Sequence, residues 1–205
     1  MEEFNLKTGD LLLFDYQKYR GLGILSYLIK KFTHSKYTHV GMILKDPDFI
    51  DPPLQGYYLW HSDWDQIPDS QDNRIKFGVQ IVPLDDIVDL YKKAKSKIFL
   101  RRIHCNHGSF AKDTMKDIHK VVYDKPYDTK IKDWFWALWR EDKEPQKTDR
   151  FWCSALVGYI YTMCGILKND TDWSLLRPSD FSIKYNGNLD YTMNCYLDDE
   201  EIEIL

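Results

Sequence analysis

The chain has 205 residues, 43% of them hydrophobic and 29% charged, with a formal net charge of −4, which suits one ordinary globular domain with a core and is short for two. Its 28 basic residues are dispersed rather than massed on one segment, so no concentrated positive field is at hand for phosphates and nucleic acid is not an expected partner. The opening MEEFNLKTGD has no apolar leader, and the longest apolar stretch, Cys153 to Leu167, is shorter than a span of about 20 residues, so the expectation is a soluble, cytoplasmic protein with no transmembrane segment and with its cysteines as free thiols.

No repeat or low-complexity linker divides the sequence, so residues 1–205 are read as one domain. Lys7-Thr8-Gly9-Asp10 reads as a turn and Leu11 to Phe14 as a strand. Gly21 to Phe32 spaces its apolar residues as a short helix does. Thr38 to Leu44 is apolar on both faces, which predicts a central strand. Asp46 to Gln55, rich in Pro and Asp, is a loop, and Tyr57 to Ser62 and Gly78 to Pro83 are further strands. A helix begins at Pro83-Leu84-Asp85 and runs to about Ala94. Ile98 to Ile103 is a strand, Ser109 to Tyr123 a helix, and the charged Arg140 to Arg150 an exposed loop.

Phe151 to Leu167 is apolar nearly all round, the pattern of a helix buried in the core. Its small residues Ser154, Ala155 and Gly158 let a sheet or a second helix come close. Pro178-Ser179-Asp180 starts a turn, a last strand lies near Tyr191 to Leu197, and the acidic Asp198 to Glu203 is a frayed tail. Strands mixed with segregated helices give an α+β domain.

Cys153 lies at the first turn of that apolar helix. Helix N-terminal amides and the macrodipole stabilise a thiolate, which predicts a lowered pKa and a nucleophile. Cys164 is the internal control: it lies three turns on, roughly 16 Å along the axis, where it is expected only to pack. His39 opens its strand, and alternation puts His39, Gly41 and Ile43 on one face, with Gly41 leaving space for another element. If the strands flanking the 46–55 loop pair symmetrically, partner numbers sum to about 101 and His39 faces His61 or Ser62. A general base needs such a polar neighbour to hold its tautomer, with His61 the choice and Asp63 the alternative if the register slips. Tyr37, on the face of His39, is placed to line the site. His104-Cys105-Asn106-His107 could seed zinc, but no second Cys or His pair stands at finger-like spacing. No metal or cofactor is expected.

Five pieces occur in order: Thr8-Gly9-Asp10-Leu11-Leu12, Tyr37-Thr38-His39-Val40-Gly41, Lys125-Pro126-Tyr127-Asp128, Cys153-Ser154-Ala155-Leu156-Val157 and Arg177-Pro178-Ser179-Asp180. Together they resemble the permuted branch of the NlpC/P60 superfamily. That branch includes YiiX-like hydrolases, related proteins of poxviruses and other large DNA viruses, and the lecithin retinol acyltransferase group. In it the histidine precedes the cysteine, as His39 precedes Cys153. YiiX-like members often carry Glu where His61 stands, whereas the acyltransferase group uses a His there. The resemblance implies a permuted papain-like fold, a central antiparallel sheet packed against the Cys153 helix. It also implies a cysteine hydrolase acting on an amide, ester or thioester of a peptide, lipid or other acyl substrate. The alternatives are a lipid acyltransferase and a catalytically idle binding module. A composition rich in Lys, Asn, Ile and Tyr suits an AT-rich genome such as a large virus, with virion association as the corresponding location.

Overall fold

A computed structural model describes residues 4–16, 35–105, 108–128, 147–192 and 194–205. The helix expected over Gly21 to Phe32 and most of the loop at Arg140 to Arg150 lie outside the described residues.

The fold is mixed α+β. Strands β1 (Leu11–Asp15), β2 (His39–Lys45), β3 (Tyr57–Asp63), β4 (Gly78–Pro83), β5 (Lys97–Arg101) and β8 (Ile202–Glu203) form one sheet in the order β4-β3-β2-β1-β5-β8. Every pairing in it is antiparallel. The short strands β6 (Ile103–His104) and β7 (Tyr196–Leu197) pair separately. Leu11 to Phe14 are completely buried because β1 sits inside the sheet and is covered on both faces.

Alternation sends Leu11, Leu13, Val40, Met42, Leu44, Trp60 and Ile81 to one face. There they pack with helix α2 (Lys112–Val122) through Met115, Ile118 and Val122, and with helix α3 (Cys153–Met163). Leu12, Phe14, Ile43, Leu59, Val82 and Leu100 form the core of the opposite face with helix α1 (Leu84–Lys93). Only Leu84, Ile87 and Tyr91 of α1 are buried, a one-sided stripe, while Asp85, Asp86 and Lys92, Lys93 complement its dipole at the two ends.

Helix α3 is different: every residue from Cys153 to Thr162 is buried. Besides strands β2 and β3 and helix α2, the 3-10 turn Trp173–Leu175 and its successor press on it, and they are what fills the space at Gly158. A Cβ on Gly158 would lie 2.5 Å from Leu176 Cδ1. The helix stops before Leu167 because Gly165 takes a left-handed φ of +68°. The amides of Gly165 and Ile166 then return to the carbonyls of Thr162 and Tyr161 at 3.0 and 2.8 Å, closing a Schellman motif.

The carboxyl end departs from the sequence reading. The acidic segment expected to fray contributes β8, which pairs with β5 through Phe99↔Glu203 and Leu100↔Ile202. The strand expected over Tyr191 to Leu197 shrinks to β7 and one bridge between Tyr191 and Leu167. The strand expected to reach Ile103 breaks at Arg102, sending Ile103 to the smaller sheet. Arg101, completely buried, anchors this end by donating to the carbonyls of Asp198 (2.6 Å) and Phe181 (2.7 Å). Cys105 and Cys195, expected as thiols, form a disulfide across a Cα–Cα distance of 4.4 Å. No described helix is long and apolar enough to cross a membrane.

Candidate active site

The motifs tie neighbouring elements together at both ends of the sheet. Asp10 accepts from the amides of Lys7 (2.9 Å) and Ile103 (3.1 Å), while Gly9 accepts from the Tyr161 hydroxyl of α3 at 2.6 Å. Lys125 and Tyr127 bond the backbone of Val79 (2.9 Å) and Phe77 (3.0 Å), and Phe151 N–H donates to Pro126 at 3.1 Å. Ser62 donates to the Phe151 carbonyl at 2.6 Å. These bonds fix the chain entering α3 against β3 and β4. Asp180 accepts from the Arg177 amide at 2.9 Å and from Asn188 at 3.1 Å, which makes the last motif a local turn clamp.

Cys153 is the first residue of α3 and is buried. The backbone N–H of Val40, the residue after His39, lies close enough to its sulfur to favour the anion, and Asp63 is near enough to oppose it. The geometry explains why that amide is available. The β2–β3 ladder runs from Lys45↔Tyr57 to Met42↔Trp60 and stops, so Val40 makes no further pairing with β3. His39 belongs to the face with Phe14, whose ring lies 5.1 Å away, and not to the face that carries α3. Cys153 thus meets β2 at Val40, at the end of the sheet, next in sequence to His39.

The register corrects the hairpin estimate by one. Partners sum to 102, since Met42 faces Trp60. Continued one step it sets Gly41 opposite His61, and continued three it sets His39 opposite Asp63. The space at Gly41 is filled by β3 itself: a Cβ there would lie 2.8 Å from Leu59 Cδ1 and 3.1 Å from His61 Cβ. His61 therefore reaches His39 on the diagonal, with His39 Nε2 and His61 Nδ1 3.0 Å apart. Asp63 Oδ2 stands 3.8 Å from the same His39 nitrogen, beyond hydrogen-bond range. Ser62 points to the other face, onto Phe151. Tyr37 lies toward β5, its ring 5.5 Å from Phe99 and its hydroxyl donated to Glu201.

Two polar residues absent from the sequence reading complete the cluster. Asp65 Oδ2, in the loop after β3, is 3.0 Å from His61 Nε2, with both side chains 1% exposed. Gln80, opposite His61 in β4, brings its amide nitrogen 3.4 Å from the same His61 nitrogen. Tyr16, Tyr91 and Tyr127 are further groups in electrostatic reach of Asp63.

Burial governs the electrostatics. It pushes the Cys153 thiol up to about 12, against the lowering effect of the Val40, Ser154 and Cys153 amides, so the thiolate expected from the helix N-terminus is not the resting form. Burial, helped by His61, likewise holds His39 well below its ordinary value. The resting pair is a neutral thiol and a neutral imidazole. The carboxylates diverge: burial lifts Asp63 to about 6, whereas burial of Asp65 is outweighed by its hydrogen bond and charge attraction to His61 and by the Ile67 amide, so Asp65 stays below the usual range.

His39, His61 and Asp63 are also the one group of described residues whose ligand atoms, all within 4.8 Å, could hold a metal ion. At the other candidate cluster, Cys105 is committed to its disulfide and His104 stacks on Tyr196 and contacts Asp198 at 3.2 Å. Asn106 and His107 lie outside the described residues. No family model matches the chain, and no curated protein matches it.

Proposed function

We propose that the chain is a cysteine hydrolase with a circularly permuted papain-like fold, cleaving an amide, ester or thioester through Cys153, His39 and His61. One observation carries the reading: the Cys153 sulfur at the start of α3 lies near the amide that follows His39, whose Nε2 is held 3.0 Å from His61 Nδ1. With Nε2 so engaged, Nδ1 is the His39 nitrogen left for the thiol. In the reaction the thiol proton passes to His39 as sulfur attacks the carbonyl carbon. The backbone N–H of Cys153, at the helix N-terminus, faces the developing oxyanion. His39 then protonates the leaving group, and water releases the acyl group from sulfur.

A neutral resting pair makes His39 a general base rather than half of a standing ion pair. A second reading, acyl transfer from a lipid, is favoured by the exposed Trp64 and Phe77, which meet edge to face at 5.7 Å next to Asp63 and Tyr127. An apolar rim of that kind suits an acyl chain. Incubation with labelled peptide, ester and thioester panels tests both readings. Product release to water supports the hydrolase, transfer to an added amine or lysolipid supports the transferase, and no Cys153-dependent turnover leaves an idle binding module.

A further inference from the structure

Resting on that hydrolase reading, we propose that Asp65 is a positioning residue that sets the tautomers of both histidines and so turns the lone pair of His39 toward Cys153. His61 touches a partner with each ring nitrogen: Asp65 Oδ2 at 3.0 Å from Nε2 and His39 Nε2 at 3.0 Å from Nδ1. Asp65 Oδ2 is buried against His61 Nε2, its other oxygen accepts from the Ile67 amide at 2.8 Å, and the Gln80 amide nitrogen, 3.4 Å from that His61 nitrogen, is a second donor in reach of the carboxylate. A carboxylate oxygen 3.0 Å from an imidazole nitrogen favours the tautomer with its proton on that nitrogen, and the Gln80 amide, farther off at 3.4 Å, then serves Asp65 rather than His61.

The consequence propagates in one direction. A neutral imidazole with its proton on Nε2 has its lone pair on Nδ1, so His61 accepts from His39. His39 must then hold its proton on Nε2, which leaves Nδ1 unprotonated as the nitrogen able to take the thiol proton. With the proton of His61 on Nδ1 instead, two lone pairs face across the Asp65 contact. His39 Nε2 becomes the acceptor, and the His39 proton moves to Nδ1, where it blocks the base. Asp63 cannot substitute, because it stands 3.8 Å from His39 Nε2 and is partly exposed at 17%.

The test uses the full chain and needs no substrate. Rates of Cys153 alkylation by iodoacetamide at pH 7.5 are compared for wild type, Asp65→Asn, Asp65→Glu and His39→Ala, alongside nitrogen-15 imidazole spectra of the folded proteins. Asp65→Asn is expected to slow alkylation about 100-fold, toward the His39→Ala rate, with Asp65→Glu recovering to within about tenfold of wild type. Wild-type His61 should give the Nε2–H signature, and Asp65→Asn should convert it to Nδ1–H. Wild-type His61 in the Nδ1–H form, or an Asp65→Asn variant that keeps the wild-type tautomer and rate, overturns the proposal. If His39→Ala matches wild type, the Cys–His reading fails, and the spectra still decide the role of Asp65. A melting curve of each variant separates misfolding from a tautomer change.

Discussion

Helix α3 carries a cysteine at each end, and the two make an internal comparison. Both are buried, and burial pushes each thiol up to about 12. At the far end Cys164 has the Met115 sulfur at 3.8 Å, and burial is the one influence on it. Cys153 has the amides of the helix start and of Val40 near its sulfur, a carboxylate in reach, and His39 next in sequence to Val40. The lesson is that a perturbed thiol does not mark a nucleophile here. What distinguishes the Cys153 end, on the proposed reading, is a set of partners able to move a proton at the moment of attack.

The largest expected effect is on turnover. Cys153→Ala should abolish Cys-dependent hydrolysis, a loss of at least about 10³-fold, while Cys164→Ala should stay within a few-fold of wild type. Equal losses at both positions would erase the contrast. Next comes the pH course of labelling. With His39→Ala removing the base, alkylation of Cys153 should rise about tenfold per pH unit from pH 7 toward its pKa of about 12, as for any buried thiol. In wild type the rise should be shallower. Thiolate absorbance near 240 nm at pH 6 would instead reveal a standing ion pair and break the account.

A third measurement sharpens the contrast between the two carboxylates. The folded pKa of Asp63 is raised from 3.8 to about 6, so its contribution to stability is fully present below about pH 4 and is lost as pH rises through about 6. Asp63→Asn removes that loss. Urea unfolding should show the variant about 1–2 kcal/mol more stable than wild type at pH 8 and equal to it at pH 4. The smallest expected effect is at Gly41. An alanine there must displace the mobile end of Leu59 and press on His61 Cβ. Activity should fall a few-fold with a stability cost of about 1 kcal/mol, and an unchanged rate would mean that the position of His61 is not limiting.

Much of this site was legible in the sequence because its signals are local. An apolar run starting at Cys153 announces a buried helix, and a polar His39 at the edge of an apolar strand stands out. Loop symmetry brought His61 within one register step. Asp65 was not legible, because it lies past the end of β3 in a loop whose path follows no period. Gln80 was hidden for a related reason: no tight turn joins β3 to β4, so nothing local fixes which residue faces His61. The pKa of Cys153 was misjudged because the sequence displays the helix dipole but not the depth of burial, and burial wins. Strand β8 was missed because its polar residues read as solvated, whereas its pairing comes from β5, about a hundred residues earlier in the chain.

The bridge between Cys105 and Cys195 spans a sequence separation of 90 residues, and the whole of α3 lies within the loop that it closes. Closure of a loop that long restricts the unfolded chain by an amount worth about 4.6 kcal/mol. Reductants routinely added to keep a catalytic thiol available are therefore not neutral reagents for this protein. The same dose that protects Cys153 from oxidation opens the ring around its helix, and an apparent loss of activity under strong reduction would report on the scaffold instead of the nucleophile. A mild phosphine titration followed by mass mapping of Cys105 and Cys195 tells the two apart, and sets the window in which every rate on this protein should be measured.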